Sequence, residues 1–285
     1  MIEAKIITDS ISPNRVRLTT FSLEYPRFIH SELMTHRLFS RNASSSRAIP
    51  VDKIISRIKN EPAMPIHWGL NQKGMQAEKE ADPVTGAVCE SLWLQARDAA
   101  VDIASTMSSM GIHKQVVNRL LEPFSHIAVV LTATDFDNFF ALRCHKDAQP
   151  EIKQLAEKMR DIYYSHTPTK IAYGQWHLPF IRPEERLAPG NYDTKLGSPK
   201  NESLLIKAST ARCARVSYLT HDKKNPTIDE DVALHDRLLA SKHMSPFEHI
   251  ATPAATMDYV GNFRGWIQYR KTIRGEHIAE YQADQ

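Results

Sequence analysis

The sequence predicts an α+β protein in which a mixed sheet is packed with helices and part of the chain is repeated. Two N-terminal stretches, IEAKIIT and VRLTTFSLEY, alternate in polarity and are rich in β-branched residues, which is typical of strands. Apolar residues recur at helical spacing from Val88 to Met107 and again from Ile152 to Ile162. A strand-like stretch followed by a helix-like one returns near the C-terminus, which indicates a partial internal duplication.

The elements of the first part follow from local signals. The first helix is expected to open at Pro26, because proline in the first turn of a helix loses little by its missing N–H. Residues 40–50 and 60–84 lack periodicity and are predicted loops, and the long helix is expected to stop at Gly111. The predicted helices here span 26–39, 51–58, 88–107, 136–145 and 152–162.

A stretch rich in proline, glycine and charge, residues 176–201, is predicted to be a surface linker. We therefore expect three parts, and these are a core with the signature loop over 1–175, a linker over 176–204 and a C-terminal repeat over 205–285.

The C-terminal part shows its own element pattern. Thr227, followed three residues later by Glu230, forms a capping box that opens a helix. Aligning Phe28 with Phe263 would place Thr35 opposite Arg270 in the proposed repeat. The remaining predicted elements are a helix over 209–218, a strand over 249–259 and a helix over 262–273.

Composition limits the class of protein. The 285 residues include 36 Lys and Arg against 33 Asp and Glu, and a net charge of +3 is too small for a general nucleic-acid binder. The three cysteines, Cys89, Cys144 and Cys213, are widely spaced without a CxxC, which favours a reduced, intracellular protein without a zinc framework. With no signal-peptide pattern and no long apolar run, we expect a cytoplasmic protein that does not cross a membrane.

The stretch THRLFSRNASSSR, residues 35–47, concentrates groups that bind anions. It holds three arginines, one histidine, four serines and one asparagine. Arginine is a planar fork suited to phosphate, and serine hydroxyls can fill the remaining oxygen positions. On composition alone, a solvated polar loop would explain it as well.

The spacing within this stretch is more specific. His36, Arg37, Ser40, Asn42, Ser45 and Arg47 meet a pattern that resembles the signature of the flavin-dependent thymidylate synthases, the ThyX family. Four further segments are similar to stretches of that family, and these are NRLLEPF (118–124), DNFFALRCHKDAQPEI (137–152), ARVSY (214–218) and HMSPFEH (243–249). The last two follow the signature here, whereas they precede it in the family. The chain is therefore identified as a rearranged, partly duplicated member with a ThyX-like fold.

The resemblance implies a function and a set of site residues. It implies reductive methylation of dUMP to dTMP, with FAD bound between subunits of a homo-oligomer (a tetramer or a dimer), methylenetetrahydrofolate as carbon donor and NADPH as reductant. The implied FAD ligands are His36, Arg37, Leu38, Asn138, Ser217, Ser245 and Glu248. The implied nucleotide ligands are Glu32, Ser45, Ser46, Arg47, Arg119, Arg143 and Arg270, and the implied catalytic residues are His243 and Arg143.

Departures from the family pattern cluster on the nucleotide side, at Glu32, Thr35, Ala43 and Ala48. Thr35 stands where the signature has an arginine, and Arg270 of the second copy is expected to restore that guanidinium. The alternatives are therefore another pyrimidine, as in dCMP methylation or hydroxymethylation, or a flavin-binding paralogue without catalysis.

Two further readings are less favoured. A basic-loop nucleic-acid binder is disfavoured by the low net charge. A thiolate nucleophile at Cys144 is disfavoured because its neighbours match the flavin family and a thiol on an apolar helix is ordinarily structural.

Overall fold

The structure, a computed structural model, describes residues 1–186, 192–193, 198–199, 202–217 and 226–278, without the side chains of 192–193, 198–199 and 217. The strands are β1 Glu3–Ile11, β2 Arg17–Pro26, β3 Ser40–Ala43, β4 His126–Ala133, β5 Thr169–Lys170, β6 Tyr192–Asp193, β7 Ser198–Pro199, β8 Ala251–Pro253, β9 Tyr259–Val260, β10 Phe263–Arg264 and β11 Trp266–Gln268. The helices are α1 His30–Met34, α2 Val51–Asn60, α3 Pro83–Ser109, α4 Lys114–Val117, α5 Asp137–Arg143, α6 Pro150–Ser165, α7 Pro183–Arg186, α8 Glu202–Ala214, α9 Ile228–Ala240 and α10 Tyr269–Thr272. Single 3-10 turns lie at Arg27–Ile29, Ser46–Ala48, Asn118–Phe124, Arg215–Ser217 and Ser245–Glu248.

The central sheet is mixed and has the strand order β3-β4-β2-β1-β5. Its neighbours pair antiparallel except β1 and β5, which run parallel. The predicted α+β class is therefore confirmed, as are the two N-terminal strands. β4 was not predicted, although its sequence HIAVVLTA is a continuous apolar run of the kind found in strands buried on both faces.

Both faces of this sheet are covered. Because side chains alternate along a strand, Phe21 and Leu23 of β2 point to one face, where they pack with α5 and α6. Leu18 points to the other face and packs with Trp266 of the C-terminal segment. Val130 of β4 lies on that second face too, against Leu205 of α8. The C-terminal segment therefore completes the core of the same sheet.

Several predicted elements differ from the structure. The first helix ends at Met34, five residues earlier than expected, and residues 40–43 form a strand where a loop was predicted. The predicted helix over 262–273 is wrong, because β10, β11 and the single turn α10 occupy it. Gly265, with φ of +67°, allows the chain to turn between those strands.

The structure also bears on the predicted repeat and on the predicted surface linker. Phe28 lies in a 3-10 turn, whereas Phe263 lies in a strand, so the two aligned segments differ in local conformation. At the start of the predicted surface linker, His177 and Leu178 are buried in the core, and most of residues 187–201 lie outside the described part of the chain. The boundaries at 175 and 205 remain predictions.

The α3 helix confirms the expected span but presents an unexpected face. Val101 and Ala104 are its buried contacts with α2. Val88, Leu92 and Ile103, which keep helical spacing in the sequence, are instead each more than half exposed. The apolar period therefore predicted the helix correctly without identifying the side that faces the core.

A chain of buried hydrogen bonds crosses the second face of the sheet. The Oγ atoms of Thr20 and Thr132 lie 2.8 Å apart on adjacent strands. Thr20 also contacts Nε2 of His177 at 2.8 Å, and Thr132 contacts Nδ1 of His249 at 2.8 Å. Ser10 Oγ ends the chain 2.9 Å from Nδ1 of His177. Through these buried residues, His177 of the segment after β5 is tied to β1 and β2, and His249 of the C-terminal segment is tied to β4.

Thr132→Val should therefore destabilise the protein with almost no change in volume. The change leaves Nδ1 of His249 without its buried partner and leaves Thr20 with His177 alone, so we expect the free energy of unfolding to fall by about 1–3 kcal/mol. Urea unfolding measures this, with Thr106→Val on the exposed side of α3 as the matched control. A loss no larger in Thr132→Val than in the control would contradict a stabilising role for the hydrogen-bond chain.

Candidate functional site

The signature stretch lies on the edge of the central sheet. After α1 the chain turns through Thr35 and enters β3, which pairs with β4 from Ser40 opposite Thr132 to Ala43 opposite Val129. Phe39 anchors the turn, because its ring is 2% exposed and packs against Phe139. The polar residues of the stretch thus lie in a strand, although the stretch lacks the apolar alternation that would predict one.

His36 and Arg143 meet directly. The Arg143 Nε–H donates to Nε2 of His36 over 2.9 Å, and the other arm of the guanidinium donates to Thr35 Oγ1 over 3.2 Å. Burial, together with the charges of Arg143 and Arg41, lowers the pKa of His36 to about 4. The imidazole is therefore neutral near pH 7 and accepts at Nε2, which leaves its proton on Nδ1.

Arg41 is a site residue that the sequence reasoning missed. Its guanidinium donates to the carbonyls of Leu33 and His36, each over 3.2 Å, and so holds the turn between α1 and β3. Burial lowers its pKa, while the nearby charge of Glu248 raises it and that of Arg37 lowers it. A charged residue between two matched positions of the signature was the available signal.

The C-terminal segment comes to this edge strand. Asn42 accepts from the Ser245 hydroxyl over 2.6 Å and donates to the backbone carbonyl of Cys213 over 3.1 Å. Ser40 accepts from the side-chain amide of Gln268 over 3.0 Å. One asparagine of the signature therefore contacts the HMSPFEH segment directly, and also the backbone carbonyl of the residue just before ARVSY.

Glu248 and Arg270 form an ion pair. Arg270 also binds Glu276, with Nε 2.7 Å from the carboxylate. The guanidinium that was expected to replace the missing one at Thr35 is thus engaged by two carboxylates, and it is Arg143 that contacts Thr35. The proposed replacement of the missing guanidinium by Arg270 remains a prediction.

Two of the residues predicted to bind the nucleotide, Ser46 and Arg119, meet at Glu122. Its carboxylate accepts from Ser46 Oγ over 2.6 Å and from the Arg119 guanidinium over 3.0 Å. Asn118 Nδ2 donates to the carbonyl of Ser46 over 2.8 Å, so the 3-10 turn after β3 rests on the segment 118–124. The spacing of Arg119 and Glu122, an i,i+3 charge pair, was the sequence signal for this contact.

The remaining predicted site residues lie apart from the contacts described above. Arg37, Asn138 and Arg47 are exposed on different elements, and Leu38 is 41% exposed. Ser45 is half-buried at the start of the 3-10 turn, and His243 is exposed between α9 and the turn 245–248. The side chain of Ser217 lies outside the described part of the structure.

Cys144 lies at the end of α5 and packs partly against the core. Burial raises the pKa of its thiol, which opposes thiolate formation at neutral pH. This finding supports the sequence-based preference against a cysteine nucleophile.

Glu32 adds an acidic group beside Arg143. Burial is the main reason that the pKa of its carboxyl is raised, with Arg143 lowering it and Glu151 raising it. Glu151 also lines a cavity of about 840 Å³ between the loop 65–78 and the start of α6. The predicted ligand residues lie outside the walls of that cavity.

The fold and these contacts describe an α+β protein with a polar signature on the edge strand of its sheet. The family model described as thymidylate synthase complementing protein, Thy1, matches residues 10–169, more than half of the 285 residues. The chain belongs to this family, and the resemblance drawn from the motifs is confirmed. The matched range ends before the C-terminal segment that contacts Asn42.

Two solved structures are similar to part of the chain. The UMP/dUMP methylase PolB from Streptomyces cacaoi bound with 5-Br UMP is 17% identical, with a TM-score of 0.49 over 58% of this chain and 89% of its own. The same methylase bound with 5-Br dUMP is also 17% identical, with a TM-score of 0.49 over 58% of this chain and 90% of its own. No curated protein matches this chain. Within the described residues, no helix is long and apolar enough to cross a membrane.

Acidification should destabilise the folded protein. Burial is the main cause that lowers the pKa of His36 and His126 to about 4 and of His177 and His249 to about 3. In the unfolded chain histidines titrate near about 6.5, so between these values the unfolded state binds more protons and stability falls as pH falls. Each histidine protonated on unfolding contributes a slope of about 1.4 kcal/mol per pH unit.

Urea unfolding at a series of pH values from neutral to about pH 5 measures this slope. His126→Asn should make the slope shallower by removing one of the four groups. Stability that stays level or rises on acidification would contradict the assignment of neutral buried histidines.

Proposed function

We propose that this protein is a flavin-dependent nucleotide methyltransferase that converts dUMP to dTMP, using FAD, methylenetetrahydrofolate and NADPH. The observation that carries the proposal is the meeting of the signature with the C-terminal segment at Asn42. Family membership rests on residues 10–169 alone, and this contact supports a composite site to which the rest of the chain contributes.

The residues near β3 suit a flavin dinucleotide in their chemistry. Arg37 offers an exposed guanidinium for a pyrophosphate, Leu38 an apolar contact, and Ser245 an exposed hydroxyl. Arg41 and Arg37 give this part of the surface a positive charge, and the nearby carboxylate of Glu248 partly offsets it. A bound flavin would supply the electrons for the reductive step.

On the nucleotide side, the chain supplies positioning and charge. Neutral His36 accepts from Arg143 and so fixes the plane of that guanidinium at the turn. Arg119, Arg47 and the Ser45 and Ser46 hydroxyls are proposed to hold the phosphate and base. His243 is proposed to act beside the flavin, on the exposed turn before Ser245.

Self-association is part of the proposal. Arg37, Asn138 and Ser245 are exposed, so a second copy would be needed to enclose a ligand there. One side of α3 exposes Val84 and Leu92, at 74% and 55% exposure, and offers an apolar surface for such contact.

The decisive test is cofactor content and turnover of the purified protein. We expect a yellow protein that releases FAD and forms dTMP from dUMP with methylenetetrahydrofolate and NADPH. Ser245→Ala and Glu248→Ala, made singly, should weaken FAD binding roughly tenfold, the size of one lost hydrogen bond to a charged group. Glu184→Ala, which removes an exposed carboxylate of an ion pair on α7, is the matched control.

Two results would contradict the proposal. A colourless protein that takes up no FAD would exclude every function that uses a flavin. FAD binding without formation of a modified nucleotide would favour the non-catalytic paralogue. FAD affinity unchanged in both variants would mean that the turn 245–248 is not part of the flavin site.

A second candidate is methylation or hydroxymethylation of dCMP, and Glu32 favours it. An ionised carboxylate only accepts hydrogen bonds, which suits the exocyclic amino group of cytosine better than the O4 oxygen of uracil. Glu32 is half-buried near Arg143, where its charge can reach a base held at this turn.

Comparison of dCMP and dUMP as substrates separates the two candidates. If dCMP is the substrate, Glu32→Gln should shift the ratio of the two kcat/KM values toward dUMP by roughly tenfold or more, since one base-edge contact is worth about 1–3 kcal/mol. Wild-type turnover of dUMP alone, with no shift in the variant, would exclude the cytosine reading.

A further inference from the structure

Glu122 is a carboxylate placed among the groups proposed to bind a nucleotide, and no family motif assigned it a role. Its side chain is 21% exposed and lies in the 3-10 turn Asn118–Phe124. One of its oxygens accepts from Ser46 Oγ over 2.6 Å and from Arg119 over 3.0 Å. Ser46 and Arg119 come from separate parts of the chain, so this carboxylate fixes their relative position.

The energetics of this contact indicate a role beyond stability. The Arg119 side chain is 58% exposed, and an ion pair with one exposed partner contributes about 0–1 kcal/mol to folding. The contact does, however, set the direction of a flexible side chain and offset part of its charge. Both the direction and the charge of the Arg119 side chain affect the binding of a ligand that contacts the exposed part of its guanidinium.

Arg27 completes the arrangement from the buried side. Its guanidinium lies 3.8 Å from Glu122 and is 17% exposed, and its Nε has no hydrogen-bond partner. Burial lowers the pKa of Arg27, and the charge of Glu122 is the main effect that opposes this. The Glu122 carboxylate thus lies between a buried arginine, Arg27, and an exposed arginine, Arg119.

We propose that Glu122 is a specificity-determining residue that orients Arg119 and offsets its charge, so that the site prefers a nucleoside monophosphate over a triphosphate. The inference rests on the proposed nucleotide function. A phosphate held by Arg119 would lie near the Glu122 carboxylate, and each additional phosphate charge adds repulsion from it. A monophosphate has the least of this repulsion to overcome.

The test is titration calorimetry of dUMP and of dUTP, compared in the wild type and in Glu122→Gln. We expect the wild type to bind dUMP more tightly than dUTP. Glu122→Gln should narrow the ratio of the two dissociation constants roughly fivefold, as expected for two phosphate charges that lose a neighbouring carboxylate in a solvated site. Because the comparison uses the ratio of the two dissociation constants, a change in the orientation of Arg119 that weakens both ligands equally leaves the ratio unchanged.

Two further variants separate charge from structure. Glu122→Asp keeps the charge and should keep the wild-type ratio, and Asp98→Asn removes an exposed carboxylate of another ion pair on α3 and should also keep it. Glu122→Gln leaves the buried Arg27 without a counterion and can fail to fold. In that case the double variant Arg27→Met/Glu122→Gln is compared with Arg27→Met alone, so that the two proteins differ only in the charge of Glu122, and the ratio should narrow from the single to the double variant.

The outcomes are distinct. A ratio unchanged in folded Glu122→Gln, or equal in Arg27→Met and in the double variant, overturns this inference and leaves the proposed function intact, as does an equal narrowing in Asp98→Asn. A wild-type protein that binds neither nucleotide overturns the proposed function and this inference with it.

Discussion

The covering of the second sheet face by the C-terminal segment is the constraint on which the rest of the structure depends. β2 and β4 bury side chains on both faces, and α5 and α6 cover only one of them. The threonines at the centre of the other face, Thr20 and Thr132, can be buried only if their hydroxyls have partners. His177 and His249 supply those partners, and His249 thereby fixes where the C-terminal segment lies.

The position of the edge strand follows from this arrangement. Once the C-terminal segment lies on the sheet, Asn42 of β3 is within reach of Ser245 and of the Cys213 carbonyl. The signature stretch is then held from two directions, by β4 through the strand ladder and by the later segment through its side chains. Segments that lie far apart in the chain are therefore brought to one place by the strand order of the sheet.

Buried charge is balanced unevenly across the site. Around the turn before β3, Arg41 and Arg143 act on a histidine that burial keeps neutral. Around the turn after β3, the carboxylate of Glu122 stands between Arg27 and Arg119. Under the proposed function, the first region would hold a base or ring through directed hydrogen bonds, and the second would set how much negative charge a ligand can carry.

Local signals in the sequence predicted part of the fold and drew attention to the signature. The signature, the capping box at Thr227 and the helices over 83–109 and 150–165 could be predicted, because their signals are local. β3 could not, since its polar sequence SRNA becomes a strand only by pairing with β4. Periodicity also left open which side of α3 faces the core.

The sequence by itself determined the family, the α+β class and which residues carry anion-binding chemistry, because these depend on residue type and local spacing. The tertiary structure alone decided which of those residues meet. Arg143 rather than Arg270 contacts Thr35, and Glu122 joins Ser46 to Arg119. Such pairings are set by long-range strand order and by the burial of polar groups between segments more than 70 residues apart, and no local pattern records them.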